Sequence, residues 1–206
     1  MSRSDPDDIL STYRRQAATW DRGRPTGVFE QPWLNRLAAL LPSGGHVLDL
    51  GCGSGVPIAR WLMQRGFAVT GVDGAPEMLE LARAHLPEAE WIEADMRTLA
   101  LDRRFDGIVA WDSFFHLTPD AQRAMFPIFA AHLAPGGALM FTSGPAAGEA
   151  WGRVGGEPVY HASLDPEEYV ALMAAEGLTL RGYLAEDPDC DRHTVWLARR
   201  ADGSTG

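Results

Sequence analysis

The chain has 206 residues, 46% of them apolar, which suits one α/β domain with its own core and leaves little for a second. Its formal net charge of −10, with scattered basic residues, opposes binding to phosphate backbones, so no nucleic-acid partner is expected. The polar start Met1-Ser-Arg-Ser-Asp-Pro has no apolar signal core, no run of about 18 apolar residues could span a bilayer, and Cys52 and Cys190 form no CxxC; a cytoplasmic protein with no membrane, metal or disulfide framework is expected.

Residues 1–42 read as an N-terminal helical cap. Ile9, Leu10, Tyr13 and Ala17 pattern one amphipathic helix, and Trp33, Leu34, Leu37, Ala38 and Leu41 a second over 32–41, stopped by Pro42-Ser-Gly-Gly45. An alternation follows: strand 46–50, helix 57–65 closed by Gly66, strand 67–72, helix 76–86, strand 90–93 and strand 105–111. Helix 119–133 is opened by Thr118 as N-cap, and Pro127 is expected to kink or split it; strand 138–142 comes next. Residues 143–163, with five glycines and two prolines, read as an irregular loop of the kind that borders an active site. Asp165-Pro-Glu-Glu168 has capping-box spacing and opens a helix to Gly177, before strands 178–184 and 194–198.

Strand–helix–strand units in series imply a parallel sheet with helices on both faces, with ligands bound beyond the carboxyl ends of the strands. The expected organisation is a single domain over 1–206, with a cap (1–42), a binding core (43–142), and a substrate loop with terminal strands (143–206).

The strongest signal is Val47-Leu-Asp-Leu-Gly51-Cys-Gly53-Ser-Gly55-Val-Pro, a strand running into a GxGxG turn and a helix. Glycines allow the sharp turn and close approach of a ligand, and the helix start beyond offers free N–H groups. Position 56 is Val, so the dinucleotide GxGxxG is incomplete. Asp73 ends the second strand, where a carboxylate can accept both hydroxyls of a ribose. Asp95, ending the third strand, can accept from an adenine amino group while Met96 packs on the ring.

Asp49-Leu-Gly51-Cys-Gly53-Ser-Gly55, Gly71-Val-Asp73-Gly74, Ala94-Asp95-Met96 and Leu133-Ala-Pro-Gly-Gly137 together resemble the motif series of class I S-adenosylmethionine-dependent methyltransferases. The resemblance covers residues 45–142 well and the flanks loosely. It implies a Rossmann-like, doubly wound α/β fold with a seven-stranded sheet, mostly parallel, whose last strand is inserted antiparallel. It also implies S-adenosylmethionine as cofactor: Gly51, Gly53 and Gly55 against its methionine part, Asp49 supporting that end, Asp73 with Gly74 at the ribose, Asp95 and Met96 at the adenine, and Trp111 lining the methionine side. Tyr13 and Trp20 resemble the aromatic pair of a YxxxAxxYD-like leader that closes over the cofactor, Trp20 standing where Tyr is usual.

The acceptor side is less constrained. Trp111-Asp-Ser-Phe-Phe-His116-Leu follows the fourth strand and lacks the [DN]PP[YFW] run used on base or glutamine amino nitrogens, which favours a small-molecule acceptor. His116 either acts as general base, since imidazole titrates near neutrality, or packs beneath the next helix. Asp112 either orients a polar acceptor or bonds backbone in its loop. Trp151, Arg153, Tyr160 and His161 combine groups suited to a wall for a polar aromatic acceptor, with Arg153 as a carboxylate clamp; the alternative is a surface loop anchored by Trp151. His193 could reach the same pocket or edge a strand, and His46, His85 and His132 are expected to be structural. Two other readings stand beside the methyltransferase: a nicotinamide-dependent oxidoreductase, which Asp73 would also suit, and a catalytically idle cofactor-binding module.

Overall fold

The structure, a computed structural model, describes residues 5–24 and 27–203; the polar start read at residues 1–4 lies outside them. In chain order the elements are α1 (Ile9–Gly23), α2 (Gln31–Ala38), β1 (His46–Leu50), α3 (Ile58–Gln64), β2 (Ala68–Asp73), α4 (Pro76–His85), β3 (Glu90–Glu93) and β4 (Phe105–Ala110). They continue with α5 (Pro119–His132), β5 (Leu133–Ser143), β6 (Gly148–Val154), β7 (Glu157–Ser163), α6 (Pro166–Ala175), β8 (Leu178–Asp187) and β9 (His193–Arg200). Among the described residues no helix is long and apolar enough to cross a membrane.

Seven strands form one sheet in the order β3-β2-β1-β4-β5-β9-β8. The first five are parallel to one another, while β9 runs antiparallel to both β5 and β8 and so is inserted between them. The strand order reverses beside β1, so the ends of β1 and β4 diverge into a crevice.

Alternation along the strands sorts the core into two layers. Val47, Val69, Val109, Met140 and Leu197 meet Trp33, Leu34 and Leu37 of α2, Trp61 and Leu62 of α3 and Leu79 of α4. Leu48, Val72, Ile108, Phe141 and Trp196 meet Phe126 and Phe129 of α5 and Tyr169 of α6 on the other face. Five of the seven tryptophans, at positions 33, 61, 91, 111 and 196, are buried. By the same period-two rule, Asp49 shares Val47's face and is carried into the protein at the mouth of the crevice.

Three expectations are corrected. Residues 143–163 hold a hairpin: β6 and β7 pair antiparallel from Gly148↔Ser163 to Val154↔Glu157, turning at Gly155 and Gly156, both with positive φ. Pro127 does not split α5, which is one helix under Thr118, whose Oγ1 accepts from the Ala121 N–H. Burial of Met125, Phe126, Phe129 and Ala130 against the sheet outweighs the single hydrogen bond that Pro127 cannot make. The capping box at α6 is half made: Asp165 accepts from the Glu167 N–H at 2.9 Å, but Glu168 turns away to Arg123 Nε at 2.6 Å.

Candidate active site

The turn after β1 is built on glycine for two different reasons. The N–H groups of Gly51 and Cys52 both donate to the Val72 carbonyl, at 2.7 and 3.1 Å, which pins the turn to the end of β2. Gly51 has φ +70°, and a Cβ there would lie 2.2 Å from Ser113 Cβ, so the crossover from β4 leaves room only for hydrogen. Gly53 instead borders an open hollow, with the Trp20 ring edge 3.3 Å from where its Cβ would be. Gly55 departs from the expectation for it. Its Cβ would fall 2.5 Å from Trp91, so it serves protein packing, and it does not line the hollow.

The hollow gathers Asp49, Gly51, Gly53, Asp73, Gly74, Asp95, Met96, Trp111, Asp112 and His116 from the strand ends, with Tyr13 and Trp20 of α1 above. Asp73 Oδ2 accepts from the Gly53 N–H at 2.9 Å and Oδ1 from the Ala75 N–H at 2.8 Å, so this carboxylate clamps the glycine turn to the start of α4. Burial raises its pKa, and the backbone N–H donors oppose the rise. Asp49 has neither help. Burial, and then the charge of Asp73, push its carboxyl up to about 7, with Arg24 the counteracting cation. Asp95 caps a short 3-10 turn, accepting from the Arg97 N–H at 2.9 Å, and its oxygens also hold the Arg97 guanidinium at 2.7 to 3.0 Å. That is the capping role open to such a residue, combined with a place on the wall.

Helix α1 is the roof. Leu10 sits over Gly74, whose Cβ would be 2.7 Å from its methyl, and Tyr13 and Trp20 meet edge to face at 6.5 Å. Arg24, one turn beyond Trp20, lies 5.0 Å over its ring and reaches both Glu30 (2.9 Å) and Asp112 (3.3 Å). Its role went unseen in the sequence, although positions 13, 17, 20 and 24 share one helical face.

At the end of β4, Asp112 has φ +49°, a left-handed conformation that aspartate tolerates better than most residues. Oδ1 lies 2.8 Å from His193 Nε2, and Oδ2 takes Arg24. His193 Nδ1 donates to the Cys190 carbonyl, so its contact with a carboxylate requires the doubly protonated ring. Burial alone would lower the His193 pKa, but the Asp112 hydrogen bond and charge raise it; burial alone would raise Asp112, but His193 and then Arg24 hold it below the usual carboxylate range. The ring of His193 stacks on Trp111 at 5.3 Å and tilts against Phe29 at 5.3 Å. His193 begins β9, as a strand-edge residue would, and meets the hollow only through Asp112 and Trp111 without lining it itself.

His116 is buried in the 3-10 turn Phe114–His116. Nδ1 lies 2.9 Å from the Tyr160 carbonyl and Nε2 2.9 Å from Tyr13 Oη. Burial, then the neighbouring His161, lower its pKa to about 4, so the ring is neutral near pH 7. Tyr13 is held well above the usual tyrosine range by burial and by the charges of Asp112 and Asp73.

The hairpin does not supply the wall expected of it. Trp151 stands opposite Tyr160, whose hydroxyl donates to Glu149 (2.7 Å); Arg153 folds back on the Gly156 carbonyl (2.6 Å), and none of the three lines the hollow. His161 faces inward, 4.7 Å from Phe115 and 4.8 Å from His116, and reaches the site only through them. The hairpin tip is tied to α1 by Glu157, which accepts from Arg15 (2.6 Å) and Gln16 (2.7 Å).

A seven-stranded sheet of this order is a Rossmann-like fold, and with a glycine turn after β1 and acidic residues near the ends of β1 and β2 and in the loop after β3 it resembles the class I S-adenosylmethionine-dependent methyltransferases. Residues 47–137 match the family described as "Methyltransferase domain". The trans-aconitate 2-methyltransferase of Azoarcus sp. is 39% identical over 103 residues, covering 48% of this chain and 39% of that protein. The matched segment thus spans about two fifths of the length of that curated relative. Among solved structures, the Burkholderia thailandensis 1,6-didemethyltoxoflavin-N1-methyltransferase with bound S-adenosylhomocysteine has a TM-score of 0.72 at 22% identity, covering 98% of this chain and 93% of its own. The amino pentose methyltransferase CalS10 of Micromonospora echinaspora, bound to S-adenosylmethionine, has a TM-score of 0.70 at 24% identity, covering 91% and 96%.

Proposed function

We propose that this chain binds S-adenosylmethionine in the hollow and transfers its methyl group to a small molecule. The observation that carries the reading is the glycine turn at Gly51 and Gly53 set between the buried carboxylate of Asp49 and the half-buried one of Asp73. When bound, the cofactor supplies an electrophilic methyl group on a sulfonium. The residues do the rest. Asp49, whose carboxyl lacks a nearby hydrogen-bonded cation among the described residues, suits an ammonium group at the amino-acid end. Asp73 keeps lone pairs for ribose hydroxyls beside its two backbone bonds, and Met96 offers an apolar wall for the adenine, with Asp95 at its edge. Tyr13, Trp20 and Leu10 exclude water from above, and Trp111 lines the far side. His116 is the candidate proton acceptor, and Asp112, held by two cations, orients the wall more readily than it removes a proton. Gly55, Trp151, Arg153 and Tyr160 stand outside this proposal.

A small acceptor is supported by the relatives named for trans-aconitate and 1,6-didemethyltoxoflavin, and the net charge of −10 weighs against nucleic acid. The chain is proposed to act as one domain, with cap, core and terminal strands all lining or bracing one hollow. Titration with S-adenosylhomocysteine and with NADH tests the reading: micromolar binding of the first alone is expected, and binding of NADH alone overturns it. Turnover of labelled cofactor with a metabolite panel then separates an enzyme from an idle binding module.

A further inference from the structure

The direction of one hydrogen-bond chain constrains what the hollow can methylate. A carbonyl oxygen only accepts, so the hydrogen between His116 and the Tyr160 carbonyl sits on Nδ1. The neutral ring then presents a bare lone pair at Nε2, and Tyr13 Oη, 2.9 Å away, must donate to it. Tyr13 has one hydroxyl hydrogen, now committed. Among the described residues no other hydrogen bond is made to its oxygen, which is left with lone pairs on the wall of the hollow. Tyr13 can therefore receive a hydrogen from a ligand but has none to offer.

We propose that Tyr13 takes the proton of the methyl acceptor while passing its own to His116, so that the acceptor is a group with a removable hydrogen, a hydroxyl or an amino N–H. The inference rests on the cofactor reading above. The acceptor's X–H bond breaks as its lone pair forms the new bond to carbon, its proton goes to Tyr13 Oη, and Tyr13's proton goes to His116 Nε2. The positive charge that leaves the sulfonium, which ends as a neutral thioether, reappears as imidazolium. The groups facing this pair are Asp112, Asp73 and Arg24 toward Tyr13, and His161 and Asp112 toward His116. The rival base, Asp112, already holds His193 and Arg24 and is the poorer choice. The Tyr160 carbonyl on β7 acts at a distance, by fixing which nitrogen carries hydrogen.

Two measurements test the relay. In the full chain labelled with ¹⁵N-histidine and saturated with S-adenosylhomocysteine, two-bond ¹H–¹⁵N spectra are expected to show His116 protonated at Nδ1 and bare at Nε2 from about pH 6 to 9. Hydrogen on Nε2 would reverse the Tyr13 bond and overturn the proposal. Second, a panel of phenols, primary alcohols and primary amines is compared with tertiary amines and thioethers. Turnover confined to the first group is expected, and Tyr13→Phe should lower kcat at least about 100-fold while S-adenosylhomocysteine affinity stays within about threefold. Equal turnover of aprotic acceptors, or an unchanged kcat in the phenylalanine variant, refutes the relay. If no compound is turned over, the His116 tautomer by itself upholds or overturns the relay. Failure of the wild-type chain to bind S-adenosylhomocysteine would instead strike the cofactor reading, leaving the tautomer readable in the free protein.

Discussion

Asp49→Asn should make the ligand-free protein more stable and its ligand site worse. The carboxyl is buried at 3% exposure, and its pKa stands at about 7 against the ordinary 3.8. For an acid whose folded pKa is raised, the folded state binds the proton more tightly than the unfolded one. Stability from this group is therefore greatest when it is protonated and is lost as pH rises from about 4 through 7. A rise of this size corresponds to about 4 kcal/mol lost at pH 8, falling below about 1 kcal/mol near pH 4. Relaxation around the coupled pair with Asp73 reduces this, so an effect of about 2 kcal/mol is expected, or about 4–8 °C in Tm for a chain of this size. Thermal unfolding of wild type and Asp49→Asn in the absence of ligand, at pH 8 and pH 4.5, reads the effect: the variant should melt higher at pH 8, and the gap should close on acidification. Calorimetry at pH 8 should show S-adenosylhomocysteine binding weakened about tenfold or more, since a charge-assisted bond is lost. A variant that melts lower than wild type at pH 8, or a gap independent of pH, refutes the view of Asp49 as a stored electrostatic cost awaiting a cation.

The glycines should divide by function. Gly55→Ala, with φ +74° and Trp91 in the way, should cost about 2–4 kcal/mol in urea unfolding, whereas Gly53→Ala should cost about 1–2 kcal/mol and chiefly reduce S-adenosylhomocysteine affinity; equal affinity losses in the two would contradict the division. His193 has a raised pKa, so its stabilisation is full below the unfolded value of about 6.5 and fades as pH rises through the folded value. Urea midpoints of wild type should accordingly fall between pH 6 and 9 more than those of His193→Gln, and parallel curves would mean that the ion pair with Asp112 contributes nothing to stability. Glu157→Ala frees Arg15 and Gln16 at the hairpin tip; because the pair is exposed, Tm should hardly move, while amide exchange in β6 and β7 should quicken.

The sheet was readable because burial imposes its period directly on the sequence. Runs such as His46–Leu50 and Glu90–Glu93 are bounded by turn residues, and the order of helices and strands leaves few parallel topologies. The hairpin escaped because its five glycines and two prolines suggest a loop, although Gly155-Gly156 between Trp151-Gly-Arg-Val and Glu-Pro-Val-Tyr160 is a hairpin turn signal. Within the site, Asp49, Asp73 and the glycine turn follow from local chain direction. The ties of Tyr13 to His116, and of Asp112 to His193 and Arg24, join positions 103, 81 and 88 residues apart, and only packing decides them. The departure of Gly55 from the hollow has the same origin, since Trp91, 36 positions later, claims its open side.

The insertion of β9 between β5 and β8 has a consequence in time. Until residues 193–200 are laid down, Met140 and Phe141 face an empty slot, β8 has no neighbour, and Asp112 lacks its imidazolium partner. During synthesis the crevice can form early from the leading half of the chain, yet the imidazole that holds Asp112 arrives only with β9. A nascent chain would thus hold the hollow proposed for the cofactor before Asp112 has its partner, and damage to β9 would loosen that carboxylate while leaving the glycine turn and Asp73 in place.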